Sequence, residues 1–426
     1  MLEGLFILIG ILLLIFTGIP IFISIIIVAV VSALAMGIPF HMVIIKMFGS
    51  INSFSLMAIP FFIIAGNIMT KAQITDRLVA FAKALLGNTS GGLAHCTTFA
   101  SFMFGGIQGS GIANASAIGG MLIPAMEKQG YEKDYAVAVT TAASMMSPIV
   151  PPSIAMILYS FYTEVPVGKL FLGGFIPGVM LCIALIAVNY FIYVKRGYKI
   201  SSRQFSLANI LKMFIKSIGA LTMPLIILVG ILSGLVTPTE SGVLAIAYGI
   251  VYGMFITHTL KFKDLGLIIF ESAKTTSVVM LIIAAASILS NVLVRMHFQT
   301  QILHLAVDVL QNPYLASVFL MAVFLVLGMF LDPTVLIAMF AATVLTVGDA
   351  FNFDPIHYGV LMVIVMQIGA ITPPVGTFLF ISCGIGKLPL EQSVKPMLPY
   401  LAVIVSLAML LLFVPSFVTF LPNALD

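Results

Sequence analysis

Two proline pairs, Pro151-Pro152 and Pro373-Pro374, stand 222 residues apart (373 − 151) inside otherwise apolar sequence. Each is flanked by small hydroxyl residues: Ser144, Ser147 and Ser153 around the first, Thr372 and Thr377 around the second. Proline has no amide hydrogen to give the carbonyl four residues before it, so the pairs leave the carbonyls of Ser147, Pro148, Gly369 and Ala370 without helical donors, and Pro148 does the same to Ser144. Carbonyl and hydroxyl oxygens without a full negative charge suit a monovalent cation such as Na⁺, whereas Ca²⁺ and Mg²⁺ normally recruit carboxylates. The alternative is a plain proline kink repaired by neighbouring helices or water, and the recurrence of the pattern argues against it.

Each break has a natural partner. The run Gly105-Gly106-Ile107-Gln108-Gly109-Ser110-Gly111 followed by Asn114 and Ser116 combines glycines for a tight turn with hydroxyl and amide oxygens. Close helix packing explains the glycines but not the polar groups. The corresponding run in the second half is Gly328-Met329-Phe330-Leu331-Asp332-Pro333-Thr334. Two Na⁺ sites are therefore expected. The first is assigned to Gly109, Ser110, Ser147, Pro148 and Val150, the second to Gly328, Gly369, Thr372, Gly376 and Thr377.

Two charges suggest how a substrate would be held. Arg295 is the only arginine outside the basic face described below, and its guanidinium is a forked donor suited to a carboxylate; snorkelling to the interface is the alternative. Asp332 falls at the second glycine turn, where an ionised group costs about 2.5–3.5 kcal/mol at membrane depth, so it is read as ordering the tip or the substrate, or as capping the helix that Pro333 opens. Asn114, Ser116 and Ser153 complete the expected substrate contacts. Enzyme chemistry finds little support: Gly348-Asp349 faintly resembles an intramembrane aspartyl protease but lacks a facing partner. There is also no HExxH, no phosphate-binding loop and no histidine cluster. Any pumping must therefore draw on an ion gradient or a partner ATPase.

The elements that position these residues follow from composition. Apolar residues make up 61% and charged residues 8% of the chain, against about 25% charged in a soluble domain. This is an all-α polytopic membrane protein with no segment long enough for a second, soluble core, and no nucleic-acid partner is expected. Cys96, Cys182 and Cys383 lack CxxC spacing and read as small buried residues. Glu3 and the long apolar run after it predict a retained N-terminal segment rather than a cleaved signal.

A crossing needs roughly 20 helical residues, which predicts ten. Two lie in 2–36, split at Gly18 and Pro20, and the others at 50–70, 134–161, 168–194, 210–235, 239–257, 265–294, 355–386 and 389–413. Segments 91–126 and 313–349 read as re-entrant hairpins, and 71–88 and 296–311 as interfacial arms. With the N-terminus outside, sixteen of the 19 Lys and Arg residues, Lys199, Arg203 and Lys274 among them, fall on one face. Lys46, Lys169 and Arg295 fall on the other. That positive-inside bias appears only if both hairpins return to the side they entered.

From Gly106 to Pro177 the halves align without a gap at the same offset, so that Glu132 meets Asp354 and Pro177 meets Pro399. Five crossings per half is odd, which makes the repeats inverted. The first, 1–200, comprises scaffold 1–70, arm 71–88, hairpin 91–126, broken helix 134–161 and helix 168–194. The second, 201–426, comprises scaffold 210–294, arm 296–311, hairpin 313–349, broken helix 355–386 and helix 389–413.

Gly106 to Ser116 with the break at Ser147 to Ser153, Thr237-Pro238-Thr239-Glu240 opening a helix, and Asp354-Pro355-Ile356-His357-Tyr358-Gly359 ahead of Thr372-Pro373-Pro374-Val375-Gly376 resemble the large membrane subunit of tripartite ATP-independent periplasmic (TRAP) transporters. The resemblance covers essentially the whole chain. It implies a Na⁺-driven elevator transporter in the bacterial inner membrane with both termini periplasmic. Its implied partners are a small four-helix membrane subunit and a periplasmic substrate-binding protein, and its implied substrates organic acids such as sialic acid, other sugar acids or C4-dicarboxylates. Gln108 stands where that pattern has serine, which leaves the backbone to serve the first ion site. The chain opens directly on its first crossing, so the small subunit is expected as a separate chain. A stand-alone Na⁺/carboxylate carrier and an ion channel are the alternatives; paired hairpins without a continuous polar stripe argue against the channel.

Overall fold

The computed structural model describes residues 2–198 and 206–425. Lys199, Arg203 and the expected boundary between the halves lie outside the described residues. Every regular element among the described residues is helical.

Helices α1 (Leu2–Phe16) and α2 (Ile21–Ala35) are separated at Gly18 and Pro20, as the sequence predicts. The expected crossing at 50–70 is instead a bent pair. Helix α3 (Phe40–Ile51) leads through a short turn into α4 (Ala58–Lys71), and the two are inclined by 63°. A window of crossing length hides α3, because a twelve-residue helix carrying His41 and Lys46 dilutes the apolar signal. Gln73, in the left-handed region, turns the chain into the arm α5 (Ile74–Leu86), whose Ile74, Leu78, Val79 and Ala82 are buried.

The first hairpin is α6 (Gly92–Gln108) and α7 (Gly111–Lys128), and the first broken crossing is α8 (Lys133–Ser144) and α9 (Ile154–Thr163). Then follow α10 (Val167–Lys195), α11 (Leu207–Leu232) and α12 (Pro238–Val251), which continues as a π-helical turn, Tyr252–Ile256. Thr237 and Glu240 form a reciprocal capping box at the start of α12. Helix α13 (Phe262–Arg295) precedes the second arm, α14 (Phe298–His304) with its π turn Leu305–Leu310. His297 turns that corner in the same left-handed conformation as Gln73.

The second hairpin is α15 (Pro313–Gly328) and α16 (Pro333–Ala350), and the second broken crossing is α17 (Pro355–Gly369) and α18 (Thr377–Gly386). Asn312, Asp332 and Asp354 cap three of these helices, each followed by proline at the first helical position. Helix α19 (Leu390–Phe413) is followed by α20 (Ser416–Ala424), which the sequence reading did not anticipate and which packs on α10.

Among the described residues six helices, or seven if the bent pair is one span, have the length and apolarity to cross a bilayer, and one of the six is α16, which the sequence reading placed in a re-entrant hairpin. The remaining expected crossings are shorter. At about 1.5 Å per residue, neither half of a broken crossing covers the roughly 30 Å hydrocarbon core alone.

Packing interlocks the two halves. Helix α9 lies against α16, and α18 lies against α7 and α8. Helix α13 packs on α2, α3 and α4 on one side and on α16 on the other. At the ends of α8 and α10, Arg196 makes two 2.9 Å bonds to the Asp134 carboxylate, and it also pairs with Glu132. Burial raises the Tyr198 phenol beside it above its usual pKa.

Candidate functional site

At the first break the backbone leaves helical geometry between Ser144 and Ile154. Most of the carbonyls expected to be free are taken. Ser144 accepts from the Ser147 amide at 3.3 Å, and Pro148 accepts from the Ser153 hydroxyl. Gly369 accepts from the Thr372 amide at 3.0 Å and Ala370 from the Phe378 amide at 2.9 Å. The breaks thus repair much of their own backbone, which corrects the sequence expectation. Among the described residues the Ser147 and Val150 carbonyls receive no hydrogen bond from the break or the hairpin.

Each hairpin tip is fastened to its break by one backbone hydrogen bond. The Ile154 amide donates to the Gly109 carbonyl at 3.4 Å, and the Gly376 amide donates to the Met329 carbonyl at 3.0 Å. Ile154 and Gly376 are matched positions at the 222-residue offset (376 − 154). Both contacts need glycine. Gly109 has φ +66°, and a Cβ there would lie 2.2 Å from the Pro152 carbonyl oxygen. Gly376 has φ +46°, and a Cβ there would lie 2.9 Å from the Ala370 carbonyl oxygen; beside this contact, a Cβ on Gly369 would lie 2.3 Å from the backbone of Gly328.

The side chains divide into capped, buried and exposed groups. Ser110 and Ser153 are N-caps, accepting from the Ala113 and Met156 amides. Asn114 is fully buried and its amide donates to the Ser101 carbonyl at 2.8 Å and the Ser147 hydroxyl at 2.6 Å. The Asn114 Oδ1 and the Ser101 hydroxyl, at the same junction, have no protein partner among the described residues. Thr372 donates to the Ile368 carbonyl at 2.7 Å, while the buried Thr377 hydroxyl has no partner among the described residues. Asp332 accepts from the Thr334 amide at 2.9 Å, as a cap. Ser116 is exposed and donates back to the Ile112 carbonyl.

A cavity of about 820 Å³ separates these parts from α2, α4 and α13. Four helix N-termini open onto it: α7 at Gly111–Ala113, α9 at Ile154–Ala155, α16 at Pro333–Thr334 and α18 at Thr377–Phe378. The aligned dipoles of helix starts, and those amides that the caps leave free, favour an anion, although the Asp332 carboxylate already caps α16 and the Ile154 and Phe378 amides are given to the Gly109 and Ala370 carbonyls. Gln108, Gln367 and Asn67 add amide groups, and Asn67 is held by a 2.8 Å bond to the Ser272 hydroxyl of α13. The facing wall is α13, through Glu271, Lys274, Thr275, Val278, Val279 and Ile282.

Of the expected substrate residues, Asp332 lines this cavity, whereas Asn114 and Ser153 are buried behind its wall. Arg295 is exposed at the end of α13, its Nε bonded to the Asn291 side chain at 3.3 Å, and does not line it. Sequence reasoning passed over Asn67, Gln367, Thr275 and Lys274. The available signal was the recurrence of polar residues at helical spacing along the first half of α13.

Comparison with known proteins sets this geometry in context. Residues 8–417 match the family described as tripartite ATP-independent periplasmic transporter, DctM component. The sialic acid TRAP transporter permease protein SiaT of Haemophilus influenzae is 37% identical over 381 residues, 89% of this chain and 62% of that protein. This chain thus spans under two thirds of SiaT. The large permease protein SiaM of the Vibrio cholerae sialic acid TRAP transporter is 32% identical over 96% of both chains. The C4-dicarboxylate TRAP transporter large permease protein DctM of Pseudomonas aeruginosa is 32% identical over 89% of this chain and 88% of that protein.

Proposed function

This chain belongs to the DctM component family of tripartite ATP-independent periplasmic transporters, and from that premise we propose that it is the large permease subunit of a Na⁺-coupled importer of organic acids. The observation that carries the proposal is the convergence of four helix N-termini on one cavity. Such a site stabilises a carboxylate through helix dipoles and the backbone donors that the caps leave free, and leaves amide side chains to bond hydroxyls. The relatives' names point to sialic acid or another sugar acid, or a C4-dicarboxylate, as the substrate.

Na⁺ would be held where each hairpin tip meets its break. The donor set fits a monovalent cation: Asn114 Oδ1, the Ser101 hydroxyl and the Ser147 carbonyl at the first junction, the Thr377 hydroxyl at the second, all neutral oxygens. Such an ion neutralises the carbonyl and hydroxyl dipoles that the apolar surroundings leave uncompensated.

A tip-to-break hydrogen bond recurs in each half, with donors at the equivalent positions Ile154 and Gly376 and acceptors, Gly109 and Met329, two positions out of register, which supports two inverted repeats. In the elevator reading both hairpins and both breaks travel as one body past a scaffold that includes α13, because α9–α16 and α18–α7 packing joins the halves. The partners are then a small four-helix membrane subunit and a periplasmic binding protein, in the bacterial inner membrane with both termini periplasmic.

The test is uptake into proteoliposomes by the membrane subunits with their binding protein. Labelled N-acetylneuraminate or succinate should accumulate only under an inward Na⁺ gradient. Conduction without the gradient would identify a channel, and uptake of free substrate without the binding protein would favour a stand-alone carrier.

A further inference from the structure

We propose that Lys274 determines the cavity's preference for anions, meeting the substrate's carboxylate from the α13 wall while the helix N-termini hold it from the other. This inference rests on the reading of the cavity as an organic-anion site. Glu271, Lys274, Thr275, Val278, Val279 and Ile282 recur at the three- and four-residue spacing of one helix face, and all of them line the cavity. Lys274 is the only basic side chain among the lining residues. It is exposed and has no ion-pair partner among the described residues.

The opposite wall offers amide hydrogens and dipoles but no cation, and it also carries the Asp332 carboxylate at the start of α16, so an entering carboxylate finds a full positive charge only at Lys274. Glu271, one turn earlier on the same face, keeps that wall near neutral before the anion arrives and disfavours a second negative group. Lysine suits a place between two bodies that move relative to one another: an ammonium on a flexible stem follows a shifting anion, where a guanidinium requires a fixed fork geometry. The hydrogen bond from Asn67 to Ser272 ties α13 to α4 and fixes the direction in which this face points.

The experiment uses the reconstituted complex of both membrane subunits and the binding protein, with N-acetylneuraminate or succinate, whichever the unmodified complex takes up. Lys274→Ala and Lys274→Gln should raise KM about tenfold, the loss expected for one charge-assisted contact, with a smaller change in kcat, and Lys274→Arg should recover part of it. Lys274→Cys gives a readout that a structural role would not move. The native Cys96, Cys182 and Cys383 are buried, so methanethiosulfonates should react at the new thiol. The aminoethyl reagent, which rebuilds a cation, should restore KM, and the sulfonatoethyl reagent should not. Wild-type KM in Lys274→Gln, or equal rescue by both reagents, overturns the assignment while leaving the cavity reading intact. Uptake of neither probe by the unmodified complex overturns both.

Discussion

The side-chain amide of Asn114 donates to the Ser147 hydroxyl at 2.6 Å, joining the second helix of the first hairpin to the broken crossing beside it. That bond fixes the rotamer of a buried amide whose Oδ1 is left without a protein partner. A buried polar atom without a partner costs on the order of 1–3 kcal/mol, which a bound cation would recover.

Asn114→Ala and Ser147→Ala should therefore raise the Na⁺ concentration for half-maximal uptake by about three- to tenfold each, and less than additively together because they share one contact. Sodium titration of uptake at fixed substrate measures this. At the second junction Thr377→Val, which removes an unpartnered hydroxyl, should shift the Na⁺ requirement without lowering thermal stability. Thr372→Ala should shift it less, since that hydroxyl already bonds the Ile368 carbonyl.

Gly369→Ala should destabilise the protein by about 2 kcal/mol or more, because the added methyl would meet backbone at Gly328 rather than a side chain able to move aside. Gly120→Ala, with nothing within 4 Å of the new Cβ, is the matched control. Melting in detergent by intrinsic tyrosine fluorescence or tryptic resistance distinguishes them: only the first should melt early.

Arg196→Ala should lower stability by about 1 kcal/mol, a modest figure because the pair with Asp134 is partly exposed and screened. The guanidinium also lies over the Tyr135 ring, 5.6 Å being the distance for the comparable Arg77–Tyr252 contact and 5.5 Å for this one. A double-mutant cycle with Asp134→Asn isolates the ionic part, which should shrink in high salt.

The parts of the site that local chemistry dictates were legible in the sequence. A proline pair cannot continue a helix wherever it sits, so Pro151-Pro152 and Pro373-Pro374 announced both breaks, and the glycine-rich runs announced both tips. What the sequence could not supply was direction. Charge counting set Lys274 on the basic face and Arg295 apart from it, and so pointed to the wrong one of the two for the cavity. Packing against α2, α3, α4 and α16 turns one toward the cavity and leaves the other at the helix end. Ser153 likewise carries a hydroxyl beside the break, but its geometry makes it a cap and a donor to the Pro148 carbonyl. Helix α3 was missed because length, not chemistry, defined the search.

The contrast between those two charges yields the last expectation. Among the described residues the Arg295 side chain is bonded only to Asn291, one turn away on its own helix, and Arg295→Ala removes it from outside the cavity wall. KM for uptake should therefore stay within about twofold of wild type, since an exposed contact of this kind contributes less than about 1 kcal/mol. Asp332 is the useful comparison, because it lines the cavity and also caps α16 through the Thr334 amide. Asp332→Asn keeps an oxygen for the cap and should melt like wild type, whereas Asp332→Ala should lose about 1 kcal/mol. If uptake falls in Asp332→Asn while melting does not, the carboxylate acts on the cavity and not only on its helix. A large KM change in Arg295→Ala would instead return that guanidinium to the substrate site.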